Sequence, residues 1–207
     1  MTRTILIALA LGTSTIAIPL AAQQASPGSA AIATVQAGEY AIELHHTRVQ
    51  FAVSHMGLSE WYGDFTGVSG SLTLDPRRVA ASKVDITIPV ASVSTTNTKL
   101  DGELRSADWF DADRHPAMRF VSTSVVKTGA RTARIAGNLT FHGVTRPVVL
   151  STTFYGAGTN PMSKAYTVGF NATTRIKRSD FGVNAFIPVV GDAVDIRISA
   201  AFERRAG

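Results

Sequence analysis

The chain has 207 residues, a formal net charge of +5, 45% hydrophobic residues and no cysteine. The length suits one domain with a sizeable core behind a short leader. The missing thiols exclude disulfides, thiolate metal sites and lipid attachment to cysteine. The 20 basic and 15 acidic residues are scattered, not gathered into the stripe that nucleic-acid binding requires.

The sequence opens MTRTILIALALGTSTIAIPLAAQQA. Arg3 precedes an apolar run over Ile5–Ile18, and Ala21-Ala22 supply small residues for cleavage. This predicts a signal peptide over 1–22 and a mature protein in the periplasm. The run is too short to span a bilayer, which takes about 20 apolar residues. Residues 23–37 carry no charge and little bulk, and read as a flexible leader. The folded domain is expected over 38–205.

That region alternates with period two, the signature of half-buried strands. Val84, Ile86, Ile88 and Val90 share one face; so do Ile135, Gly137, Leu139 and Phe141. Tyr166, Val168, Phe170 and Ala172 form a third set, and Val194, Ile196, Ile198 and Phe202 a fourth. Further strands are predicted at Tyr40–Leu44, Val49–Ser54, Gly63–Leu74, Met118–Val126 and Val148–Tyr155. Turn pairs such as Asp75-Pro76, Arg146-Pro147 and Gly191-Asp192 separate them. About eight closely spaced strands fit an antiparallel barrel, which leaves no exposed edge.

Alternation fails from Thr96 to His115. Leu100, Leu104, Ala107, Trp109 and Phe110 recur at roughly helical spacing there. Asn97 or Thr98 can start a short helix, Ser106 can cap a second turn, and Pro116 returns the chain to an extended strand. The segment reads as a helical excursion that covers one barrel end.

Enzyme signatures fail in turn. Gly67–Ser71 misses the nucleophile elbow at its last position and sits in a strand pattern. Ser54 and His55 point to opposite faces. Gly156–Gly158 lacks a third glycine and a following helix. The histidines His45, His46, His55, His115 and His142 show no zinc-site spacing, so no metal is expected. Asp108, Asp111 and Asp113 suit turns, with Arg105 and Arg114 as neutralising partners.

Four fragments in order resemble the YceI-like family of bacterial polyisoprenoid-binding, lipocalin-like domains. They are His45–Leu72, Ser94–Thr123, Gly137–Leu150 and Ile176–Phe186. The resemblance implies an eight-stranded antiparallel lipocalin-like β-barrel around a long apolar cavity. It implies a periplasmic carrier of an isoprenoid or other long-chain lipid, often a homodimer. Glu103 stands where the family usually has a histidine, which bears on headgroup preference.

The residues expected to line the cavity are Phe51, Val53, Phe65, Ile86, Ile88, Leu104, Phe110, Phe120, Leu139, Phe141, Phe170, Phe181 and Phe186. Arg105 is expected at the entrance, facing a headgroup. In the Arg178–Gly182 turn, Gly182 supplies backbone freedom and Arg178 is expected to pair with an acid. The function expected is a carrier of a polyisoprenoid or isoprenoid quinone, with no catalytic residue and no cofactor. Its basic surface allows peripheral contact with anionic lipid. Two rivals are an enzyme using His55, Asp101, Arg105 and His115, and a packed barrel without ligand.

Overall fold

The structure is a computed structural model and describes residues 26–205; the expected signal peptide lies outside them. The strands are β1 (Gly38–His55), β2 (Ser59–Phe65), β3 (Ser69–Leu74), β4 (Lys83–Pro89), β5 (Ala117–Lys127), β6 (Thr132–Phe141), β7 (Val144–Thr159), β8 (Tyr166–Lys177) and β9 (Val190–Arg204). One α-helix, α1 (Thr98–Arg105), sits between β4 and β5, after a 3-10 turn at Val90–Ser92. Consecutive strands pair antiparallel from β3 to β9, and β1 pairs with both β3 and β9. The sheet therefore closes on itself, as the alternation and the resemblance predicted.

The nine strands make eight staves. β2 pairs with Val49–His55 and β3 with Gly38–Ala41, both on the edge of β1 that β9 leaves free. They lie end to end as one stave broken at Thr66–Val68. The sequence predicted a single strand over Gly63–Leu74. Gly67 breaks it with a φ of 64°, a backbone state that glycine adopts at little cost. The Thr66 N–H, lost to the ladder, donates to Ser92 Oγ at 3.2 Å.

Bulges explain why simple alternation loses phase within long strands. Tyr40 and Ile42 face inward at the start of β1; after residues 44–47, Val49, Phe51 and Val53 do so. The register against β9 jumps between Glu43 and Arg48. The two predicted strands at Tyr40–Leu44 and Val49–Ser54 are thus one strand, whose inward parity a bulge resets. Buried Thr47 repairs the ladder there. Its hydroxyl donates to Glu43 O at 2.7 Å and accepts from Ala201 N at 3.1 Å. Bulges at Thr123 and Tyr155 shift β5 and β7 in the same way, so that Val125 and Ala157 are buried.

Both barrel ends are covered. At the top lie the β1–β2 turn, the excursion between β4 and β5, the β6–β7 turn and the β8–β9 connection. Asn97 caps α1, its Oδ1 accepting from Lys99 N and Leu100 N. Ser106 organises the next turn through its carbonyl, not its hydroxyl: Trp109 N and Asp111 N both donate to it. At the bottom, Tyr40, Leu72, Phe154, Val168 and Phe202 form a buried cluster. The expected flexible leader is docked there over its described residues. Ser29 bridges to Ala157, and Ile32 and Val35 pack on the cluster.

Gly70 tests the closure. Its φ is 141°, and a Cβ there would come within 2.1 Å of Asp85 O. Gly70→Ala is expected to cost about 2–4 kcal/mol from strain and crowding. That lowers the melting temperature by roughly 4–16 °C, measurable by calorimetry.

Candidate ligand cavity

The inward faces do not fill the barrel. A cavity of about 270 Å³ remains, lined almost wholly by apolar side chains from every strand and from the excursion. This is just below the roughly 300–1,000 Å³ of small-molecule sites. Ile42, Ile86, Ile135, Leu139, Leu150, Ile196 and Ile198 face inward yet are only partly buried. In a filled core such residues would be closed off by neighbours.

Most residues expected to line the cavity stand on its wall. Phe51, Val53, Phe65, Ile86, Ile88, Phe120, Leu139, Phe141 and Phe170 do so from the strands. Leu104 and Phe110 reach it from the excursion, beside Trp109. Two of the expected lining residues, Phe181 and Phe186, lie elsewhere. Phe181 is buried behind the wall, its ring 5.8 Å from Phe141. Phe186 is 63% exposed and stacks on Trp109 from outside. Its backbone φ of 56° turns the chain there, so the local sequence gave no warning that it points out. Arg105 is an exposed residue of α1, with one guanidinium hydrogen bond, to Val93 O at 3.1 Å.

The arginine on the wall is Arg178, which sequence reasoning assigned to an acid. It is only 4% exposed. Instead of a carboxylate, its guanidinium donates to four backbone oxygens at 2.8–2.9 Å: Gly191, Val183, Ala185 and Val190. It also lies over Trp109, 5.4 Å from the ring centroid. The planar fork suits this knot because its donors diverge in fixed directions. Burial pushes the guanidinium below its ordinary value, against the opposing pull of Asp192. Asp192 itself accepts from Ser179 N and Oγ, both at 2.9 Å. The only local signal was Arg178 beside Gly182, whose φ of 80° ends the turn.

At the lower part of the cavity, Thr152 Oγ1 is buried with no hydrogen-bond partner. It is one of the few polar side chains on the wall, with Thr47, Ser82, Thr174 and Arg178. The four residues of the enzymatic rival, His55, Asp101, Arg105 and His115, do not line the cavity. Asp101 is engaged structurally, Oδ1 accepting from Thr95 N at 2.6 Å and Thr95 Oγ1 at 2.7 Å. Of the excursion's other acids, Asp111 pairs with Arg114, not Arg105. The fold does bring Asp111, His115 and His142 together outside the cavity, although their sequence spacing suggested no metal site.

The YceI-like domain matches residues 40–202. A UPF0312 protein of Ectopseudomonas mendocina is 39% identical over 175 residues, 83% of this chain and 91% of that protein. The crystal structure of BcnA from Burkholderia cenocepacia superposes with a TM-score of 0.70 at 26% identity, covering 77% of this chain and 98% of that one. A polyisoprenoid binding domain from Saccharophagus degradans shares the fold at 13% identity and a TM-score of 0.62, covering 82% of this chain and all of that domain.

The two arginines separate in a stability measurement. Arg178→Met strands four carbonyls and is expected to cost about 3–5 kcal/mol. Arg105→Ala removes one exposed donor and is expected to cost under about 1 kcal/mol. Denaturant midpoints of the two variants check the difference.

Proposed function

Because the chain belongs to the YceI-like family, we propose that it is a binding protein for a long-chain amphipathic lipid. The ligand is a polyisoprenoid or an isoprenoid quinone, held in the barrel and released unchanged. The observation that carries this reading is the cavity itself: unfilled by side chains, lined from Leu74 and Phe202 near the bottom to Trp109 and Arg178 at the top, and apolar almost throughout. Such a wall recognises a hydrocarbon chain by burial, not by hydrogen bonding. About 15 methylenes contribute roughly 12 kcal/mol at about 0.8 each. An association cost of about 4 kcal/mol leaves about 8, which corresponds to micromolar binding. The shared fold with a polyisoprenoid binding domain favours the same ligand class.

A carrier is favoured over an enzyme by the chemistry of the wall. Acid–base work needs a titratable group within hydrogen-bond reach of the reacting atom. Arg178 already serves four carbonyls, and the other polar side chains on the wall, Thr47, Ser82, Thr152 and Thr174, are hydroxyls with no carboxylate or imidazole beside them on the wall. The headgroup then belongs at a barrel end, where exposed Arg105 stands at the top. Exposed Met56, Leu58, Phe186, Ile187 and Val189 gather at that same end, joined by the Met56 N to Val189 O bond. They support brief contact with a membrane surface during loading. The leader pattern over 1–22 supports action in the periplasm.

Filling the cavity tests the proposal. Leu150→Trp places an indole into the mid-barrel space. An overpacked core substitution costs about 1–3 kcal/mol; here the hollow absorbs the ring, and the loss is expected below about 1 kcal/mol. Binding of a polyprenyl phosphate, followed by intrinsic fluorescence, is expected to weaken at least tenfold. Unchanged affinity with a core-like loss of stability would place the lipid elsewhere.

A further inference from the structure

Three side chains meet at the top of the barrel, outside the apolar wall. The candidate ligand atoms of Asp111, His115 and His142 lie within 4.8 Å of one another. Asp111 is buried in the turn after α1, with a φ of 48°. His115 follows four residues later, and its N–H donates to Asp111 O at 2.8 Å. His142 comes from the β6–β7 turn, where it and Gly143 have φ of 51° and 74°. The imidazole centroids of His115 and His142 are 5.0 Å apart. Gly143 is part of the seat: a Cβ there would stand 2.7 Å from His115 Cε1.

The hydrogen-bond pattern defines the donors. His142 Nδ1 lies 3.2 Å from Phe181 O. A carbonyl only accepts, so Nδ1 carries the proton and Nε2 keeps its lone pair. That Nε2 is buried and has no hydrogen-bond partner. An imidazole held through one nitrogen by a backbone carbonyl, with the other nitrogen bare, is how a ligating histidine is oriented. Arg114 Nε and Nη2 both hold Asp111 Oδ2 at 2.6 Å, which leaves Oδ1 for a ligand. The Arg114 side chain is largely exposed, so solvent screens its charge from the cluster. His115 makes no side-chain hydrogen bond among the described residues.

We propose that Asp111, His115 and His142 bind a divalent transition metal, with Zn2+ as the best match. Two imidazoles and one carboxylate are borderline donors that suit zinc and its neighbours better than magnesium or calcium. Coordination at about 2.0–2.2 Å draws the three donors closer together than the 4.8 Å within which they now lie. Three protein donors leave a position for water or an anionic group. The metal ties the excursion to the β6–β7 turn. Phe110 and Phe141 precede Asp111 and His142 in sequence and stand on the cavity wall, so the site stiffens the top of the cavity. It does not depend on the lipid reading.

The test uses the mature chain stripped with a chelator and titrated calorimetrically with Zn2+ at neutral pH, with Co2+ as a spectroscopic probe. One Zn2+ per chain is expected, with a rise in melting temperature and a visible Co2+ band of four- or five-coordinate intensity. Asp111→Asn and His142→Asn keep residues that tolerate positive φ, so the metal-free fold should survive, as circular dichroism would show. Each should weaken Zn2+ binding at least tenfold and abolish the Co2+ band. His55→Gln should leave both intact. Absence of saturable binding in the wild type, or undiminished binding in both asparagine variants, would overturn the proposal.

Discussion

The ladder between β1 and β9 closes the sheet, leaving the outer side of β2 with only the Asp64–Ser94 bridge, and the rest of the molecule follows from that closure. A closed sheet has one inside, and every strand must present its apolar face to it. Long strands drift in pleat and twist, so three bulges reset the parity of β1, β5 and β7. Each keeps apolar residues inward where a regular strand would turn them to solvent. Closure also sets the number of staves, and eight staves leave a central space that side chains of ordinary size fill or spare. Here they spare it. The isoleucines and leucines of the middle barrel line a hollow rather than meet across it.

A hollow barrel has fewer cross-barrel contacts to hold its ends, and the ends are built accordingly. The bottom has an aromatic cluster with the leader laid on it. The top has a polar knot. Arg178 binds four carbonyls of the β8–β9 connection and underlies Trp109 of the excursion. One side chain thus joins two segments that no strand pairing connects. Buried guanidinium of this kind is costly to desolvate, and the four carbonyls repay that by being satisfied themselves. The functional reading depends on this construction, because a cavity is useful only if its ends keep their shape while the middle stays open.

Much of this was legible in the sequence because period-two alternation reports facing directly. Val84–Val90, Ile135–Phe141 and Val194–Ile198 needed no structure to be assigned inward, and Asn97 announced α1 through its capping chemistry. What was hidden depends on non-local geometry. The bulge at 44–47 looks like a gap between two strands until β9 spans it. Phe186 reads as one more core aromatic, but a positive φ turns it outward. Arg178 suggested a carboxylate partner because charge is visible in a sequence, whereas a ring of backbone oxygens is not. The leader looked free because small uncharged residues carry no pattern, yet Ile32 and Val35 have a cluster to rest on. Asp111, His115 and His142 meet only because the excursion folds back over the β6–β7 turn.

The central claim is that the hollow holds a hydrocarbon chain and does not transform it. The most direct measurement is mass spectrometry on an organic extract of protein purified natively from its own cells. The account predicts a long-chain isoprenoid in near-stoichiometric amount, identical to the lipid present in the cell's membranes. An extract containing no lipid, or one carrying a chemically altered product that the membranes lack, would contradict it.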